Sequence, residues 1–189
     1  MRYGIKSITM DDVARELAIS KKTLYQYFTD KNDLVKKVFA QHLLHISTAC
    51  TKTFEESSNP IDQMLSMSMQ RAEEMNKMNP ALLYDLKKYY PERWQELDKY
   101  KNEFIYGRII LNMQKGIEAG LYHDSIKTDI VARIYVHLVD IMIGSENELK
   151  KHYNQKELHL SVITYHLRAV CTKKGLDYLN KRLTELNHQ

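Results

Sequence analysis

Along this chain apolar residues recur three or four positions apart, and no segment alternates apolar with polar residues long enough to suggest a strand. That period predicts helices packed on helices. The turn-forming residues agree. Gly and Pro number 6 and 3 among 189 residues, about 5% where ~12% is usual. A sandwich or barrel needs more turns than that. The predicted fold class is therefore all-α, in a chain long enough to bury a core without disulfide or metal staples.

Cap residues divide the pattern into elements. Thr9-Met10-Asp11-Asp12 reads as an N-cap with an acidic first turn. It opens a short helix to about Leu17, with Val13 and Leu17 on one face. Ala18-Ile19-Ser20 makes a turn, and Ser20 caps a second helix from Lys21 to about Phe28. Thr29-Asp30 opens a third, which extends to about Glu56. Ser57-Ser58-Asn59-Pro60 breaks the chain before a Met-rich helix over about 61–78 (Met64, Met67, Met75, Met78). Asn79-Pro80 opens another over about 81–89. Pro91 starts a helix predicted to run unbroken to about Ala119, with Gly120 closing it. Thr128 caps an apolar helix ending near Ile143 and Gly144. A polar connection over 145–154 leads to a helix over about 155–173. Gly175 punctuates, and an amphipathic segment follows over 176–186.

Two short helices joined by a tight turn and flanked by a third form a helix-turn-helix pattern. Val13, Leu17, Leu24 and Phe28 are its expected small core. The opposite face of the second helix then carries Lys21, Lys22, Thr23, Tyr25, Gln26 and Tyr27. Amines, hydroxyls and an amide at the start of a short helix suit the major groove, where lysine reaches guanine or phosphate and glutamine an adenine edge. Free amides at the Ser20 end favour a phosphate. Thr9 and Lys31, at two other helix starts, can hold the DNA backbone on either side. Charge placement points the same way: residues 1–50 carry 8 Lys/Arg and 5 Asp/Glu, against 20 and 19 in the remainder.

The segment SITMDDVARELAISKKTLYQYFTDKNDLV (7–35) resembles the DNA-binding region of the tetracycline-repressor (TetR) family of bacterial transcription regulators. The matching positions are Thr9, Val13-Ala14, Ile19-Ser20, Thr23-Leu24-Tyr25-Gln26-Tyr27-Phe28, Lys31 and Leu34. The resemblance implies phosphate contacts from Thr9, Tyr25, Tyr27 and Lys31, and base-edge or groove contacts from Lys21, Lys22, Thr23 and Gln26. It implies a homodimeric, ligand-responsive repressor on a palindromic operator of double-stranded DNA. Residues 1–45 would be the DNA-binding domain and 46–189 the helical effector-binding and dimerisation domain. Three departures stand out. Ala18 occupies a turn position where the family often has Gly, and a left-handed conformation there would cost roughly 1 kcal/mol. Lys22 replaces a small residue. Of the family helix that precedes the Thr-capped one, only the end, Arg2-Tyr3-Gly4, has a counterpart here: either residues ahead of Met1 supply the rest, or that first helix is absent.

Elsewhere the candidates are fewer. The segment 82–94 is dense in aromatics. Tyr84, Trp94, Phe104, Tyr106 and Tyr135 are candidate walls of an effector cavity, and Lys87 a candidate anchor for an acidic group. Plain core packing explains the same residues equally well. If a cavity exists, a mostly apolar or aromatic small molecule is the natural effector. The helix over 129–143 is apolar on nearly every side (Ile130, Val131, Ile134, Val136, Leu138, Val139, Ile141, Met142). With the helix over 155–173 it is the expected homodimer interface. His42 with His45, and His159 with His166, lack the partners of a metal site, so no metal and no cofactor is expected. No phosphate loop, nucleophile elbow or carboxylate pair marks an enzyme. Cys50 and Cys171 read as reduced thiols. Neither a membrane span nor a signal-like apolar start is seen, so a cytoplasmic protein is expected. A helical dimerisation or ligand-binding module without DNA binding is the alternative.

Overall fold

The computed structural model describes residues 4–143 and 148–187. Arg2, Tyr3, Gly144 and the start of the predicted 145–154 connection lie outside them. The described residues are helical, with one isolated antiparallel bridge between Tyr122 and Cys171. They form two compact units. One contains the residues up to Thr48 together with Met78–Tyr100; the other contains Ala49–Lys77 together with the residues from Lys101 onward.

The first unit starts with α1 (Met10–Glu16), α2 (Lys21–Tyr27) and the opening part of α3 (Lys31–Glu56). Thr9 caps α1 through a reciprocal pair: its Oγ1 accepts from the Asp12 amide (3.1 Å), and its own amide donates to Asp12 Oδ2 (2.9 Å). The helix ends in a Schellman turn, in which the Ile19 amide donates to the Ala14 carbonyl and the Ala18 amide to that of Arg15. Ala18 takes the left-handed conformation this turn requires, at φ 52°. Ser20 caps α2 by accepting the Thr23 amide at 3.0 Å, and Asp30 Oδ1 accepts the Asp33 amide at 2.8 Å to start α3.

Met10, Ala14 and Leu24 form the buried centre of this helix-turn-helix, hereafter the reader, with Val13, Phe28 and Leu34 packed around it. Leu17 does not join them. It is the C-cap of α1 and 58% exposed, because the seven-residue helix buries its Met10/Ala14 edge instead of extending the stripe one turn further. The unit is completed by α5 (Pro80–Tyr89) and α6 (Pro91–Lys99), which pack on each other.

The second unit takes the end of α3, then α4 (Pro60–Lys77), α7 (Tyr106–Glu118), α8 (Thr128–Ile143), α9 (Leu149–His152), α10 (Gln155–Val170) and α11 (Lys173–Asn187). Along α4, Ile61, Met64, Leu65, Ser68, Ala72 and Met75 make a buried stripe at helical spacing. α10 lies against this helix, and the Ser68 hydroxyl donates to the His159 carbonyl at 3.1 Å. A buried polar chain ties the turn before α4 to α7. The Gln63 amide group donates to the carbonyls of Phe54 (2.8 Å) and Ser57 (2.7 Å). Gln63 Oε1 accepts from Asn112 Nδ2 (3.0 Å), and Asn112 Oδ1 accepts from the Tyr122 hydroxyl (3.2 Å). Every member has a partner, as burial demands.

Four elements differ from the expectation. The helix begun at Pro91 is interrupted by a π-helical segment, Tyr100–Ile105, before α7. The segment turns Lys101 inward, where its Nζ meets Asp140 Oδ1 on α8 at 2.5 Å. α10 stops at Val170, because the Cys171 strand-like residue pairs beside Tyr122: the His123 amide donates to the Val170 carbonyl and the Thr172 amide to the Leu121 carbonyl. α11 then runs through Gly175, whose lack of a side chain admits the Leu121 carbonyl, only 2.2 Å from where a Cβ would stand. The short α9 sits inside the predicted polar connection.

Candidate nucleic-acid interface

α2 is amphipathic in a way that separates support from display. Leu24 is 1% exposed and faces the reader's core. Lys21, Lys22, Gln26, Tyr25 and Tyr27 are exposed, the last two by 44% and 67%. An exposed tyrosine pair on a seven-residue helix has no packing explanation. Thr23 is half-buried; its Oγ1 lies 2.7 Å from the Ser20 hydroxyl, so both hydroxyls serve the cap while Ser20 stays at the surface.

Several charged side chains around α2 are already engaged. Lys21 Nζ lies 2.8 Å from Asp11 Oδ1, and this hydrogen bond raises the Lys21 pKa. The Thr9 hydroxyl is exposed and donates to Asp12 Oδ2 at 2.7 Å; its hydrogen bonds hold the Asp12 carboxyl below the usual range. Lys37 Nζ donates to the Tyr27 carbonyl at the end of α2 and to Asp33 Oδ2, each at 2.9 Å. Cations suit the carbonyl end of a helix. Lys31 is half-buried and donates from Nζ to the Lys6 carbonyl at 3.0 Å. Sequence reasoning missed Lys6 and Lys37. Lysines four residues from an aspartate on α3 were readable as i, i+4 pairs, but the Lys6 contact spans 25 positions and leaves no local mark.

The six effector-pocket candidates are not brought together within either unit. Tyr84, Lys87 and Trp94 belong to the first; Phe104, Tyr106 and Tyr135 belong to the second. Tyr84 is 44% exposed and its hydroxyl accepts from Lys88 Nζ at 2.9 Å. Lys87 stands over the Trp94 ring, 5.6 Å from its centroid. Arg108 covers the Phe104 ring at 5.2 Å. Tyr106 donates its hydroxyl hydrogen bond to Asp129, and Arg133 covers its ring. Tyr135 is buried in the core beside His166, ring centroids 4.6 Å apart, and burial pushes its phenol pKa up. The second unit has an open groove of about 560 Å³ bordered by Pro60, Leu121, Lys174 and Lys181, and none of the six lines it. Among the described residues no cluster of His, Cys, Asp and Glu could hold a metal ion, and no helix is long and apolar enough to cross a membrane.

Residues 1–38 match the family of bacterial regulatory proteins, tetR family. Over 176 residues the chain is 30% identical to the uncharacterized HTH-type transcriptional regulator YvaF of Bacillus subtilis, covering 90% of each chain. The chain belongs to the TetR family. Its fold agrees. A transcriptional regulator from Cytophaga hutchinsonii superposes with a TM-score of 0.73 at 16% identity, over 90% of this chain and 92% of the other. The TetR family transcriptional repressor FadR of Thermus thermophilus, in complex with lauroyl-CoA, superposes with a TM-score of 0.54 at 14% identity, over 86% and 84%. As a TetR family regulator the protein is a DNA-binding transcriptional regulator, all-α, with the helix-turn-helix at α1–α2.

Proposed function

We propose that this regulator is a ligand-responsive repressor that binds a palindromic operator as a homodimer. Residues 1–45 act on DNA, and residues 46–189 bind the effector and dimerise. The observation that carries the reading is the display of Lys21, Lys22, Tyr25, Gln26 and Tyr27 on the exposed side of α2, opposite a buried Leu24. Lysines and Gln26 would meet base edges and phosphates, and Thr23 the groove wall. Thr9, Ser20, Tyr25, Tyr27 and Lys31 would hold the backbone and fix the register.

Two further observations support the assembly and the switch. On α8, Ile130, Ile134 and Ile141 are each at least half exposed in the single chain; a second copy would cover them. FadR, with the same fold, is seen with lauroyl-CoA, which supports an effector with a substantial apolar part. Such an effector switches DNA binding only if it prefers one spacing of the two readers over another.

Selection of duplexes from a random pool by the full-length protein tests the reading. The expected product is an inverted repeat whose half-sites lie about 34–36 Å apart, one helical turn. A protein that retains no duplex at low salt, or selects a site without symmetry, overturns it.

A further inference from the structure

The carboxylate of Asp85 on α5 is 8% exposed and reaches a stretch of chain far from it in sequence. Its Oδ2 accepts the Lys6 amide at 2.8 Å. The carbonyl of the same residue, Lys6, accepts from Lys31 Nζ at 3.0 Å. Lys6 is thus held on both sides, by an anion at its N–H and by a cation at its C=O. Hydrogen bonds to charged groups are the stronger kind, and the one to Asp85 is partly shielded from water.

The rest of α5 is shaped for this contact. Ala81, Asp85 and Tyr89 stand above one another at helical spacing. The chain crosses this stripe at Gly4, where a Cβ would lie 2.3 Å from Asp85 Oδ2 and 3.4 Å from the Ala81 Cβ. Only glycine admits so close an approach. At the other end Lys6 Nζ donates to the Tyr89 hydroxyl at 3.0 Å and sits over its ring, 4.4 Å from the centroid. Three α5 positions, each one turn from the next, therefore meet Gly4 and Lys6 of the segment that enters α1.

We propose that Asp85 is a positioning residue for DNA binding: by fixing the Lys6 backbone it sets where the Lys31 ammonium is presented to a phosphate. This rests on the reading of Lys31 as a phosphate contact. A lysine ammonium has three donors; the Lys6 carbonyl takes one, which aims the side chain and leaves two for the DNA. Asp85 touches no nucleotide and acts only through Lys6.

The test uses full-length protein and a fluorescent duplex recovered by selection, titrated over a salt series, with thermal unfolding of each variant alongside. Lys31→Ala is expected to lower the log–log salt slope by about one. Asp85→Ala should lower it equally, and the double variant no further, because one contact is lost in each case. Asp85→Asn keeps an acceptor oxygen for the Lys6 amide and should retain the wild-type slope. If Asp85→Ala does not fold, Gly4→Ala takes its place: the added Cβ would stand 2.3 Å from Asp85 Oδ2, so either the carboxylate or the segment must move and the Lys6 contact is lost. Additive losses, a wild-type slope in Asp85→Ala (or in its substitute), or a reduced slope in Asp85→Asn overturn the proposal alone. An unchanged slope in Lys31→Ala overturns the phosphate reading first, and the proposal with it.

Discussion

Lys21, the first residue of α2, places its ammonium 2.8 Å from the carboxylate of Asp11 on α1. The pair joins the two helices of the reader across the turn, and both partners are more than half exposed. Water screens such a pair, which therefore contributes little to stability. If Lys21 contacts DNA as proposed, DNA competes for the same ammonium. Asp11→Asn should therefore tighten duplex binding by about fivefold at low salt and steepen the salt slope, as a repelling carboxylate disappears and Lys21 is released. Fluorescence anisotropy reads both. Weaker binding would mean that Asp11 aims Lys21 at its target.

Ala18 carries a left-handed backbone, φ 52°, in the turn that closes α1. Its Cβ makes that conformation unfavourable, whereas glycine adopts it freely. Ala18→Gly should stabilise the protein by about 0.5–1 kcal/mol, part of the relief being offset by the greater freedom of glycine in the unfolded chain. A higher denaturant midpoint at unchanged m-value is the expected result. A lower one would place the turn under no strain.

His166 is buried against Tyr135, and burial lowers its pKa to about 4. Below its ordinary value of 6.5 the unfolded chain takes up a proton that the folded one refuses. Stability contributed by the neutral ring is thus complete above pH 6.5 and lost as pH falls toward 4, with a slope approaching ~1.4 kcal/mol per pH unit. His166→Asn should flatten stability against pH in that window relative to wild type. Parallel curves would show that His166 remains protonatable in the fold.

Ile134 on α8 is 51% exposed, one helical turn from Ile130 and two from Ile141, which are 50% and 56% exposed. A charge placed among them would be buried unpaired in any symmetric contact. Ile134→Glu should dissociate the proposed dimer without unfolding the chain, since the side chain is already at the surface of the single copy. Sedimentation equilibrium at micromolar protein distinguishes the species. A dimer that persists would put the interface elsewhere.

Local chemistry made much of this fold legible. Caps act within four residues, so Thr9, Ser20, Asp30 and Asn79 announce their helices from sequence, and all four do cap. The buried Leu24 and the exposed side of α2 follow from the same spacing. Distant contacts leave no such mark. Nothing beside Asp85 points to Lys6, 79 positions away. Leu17 misleads because the periodic face continues past the residue where the helix stops. Lys101 looks like any surface lysine until the π-helical turn carries it inward to Asp140. Aromatic density over 82–94 says that rings are present, not what they border: Tyr84 proves to be a surface residue beside Lys88.

The π-helical turn at Tyr100–Ile105 acts as a vernier on everything downstream. Wider bonding accommodates one residue more than an α-helix of the same rise would, and each residue is worth ~100° of rotation. Deleting a single residue there would leave a better-bonded helix, yet it would turn Lys101 by that angle relative to Ile109 and Met113, so that its ammonium would lose Asp140 while those two side chains fill the core. The irregular turn is thus the phase setting of α7, and shortening it should be more harmful than many changes of side chain.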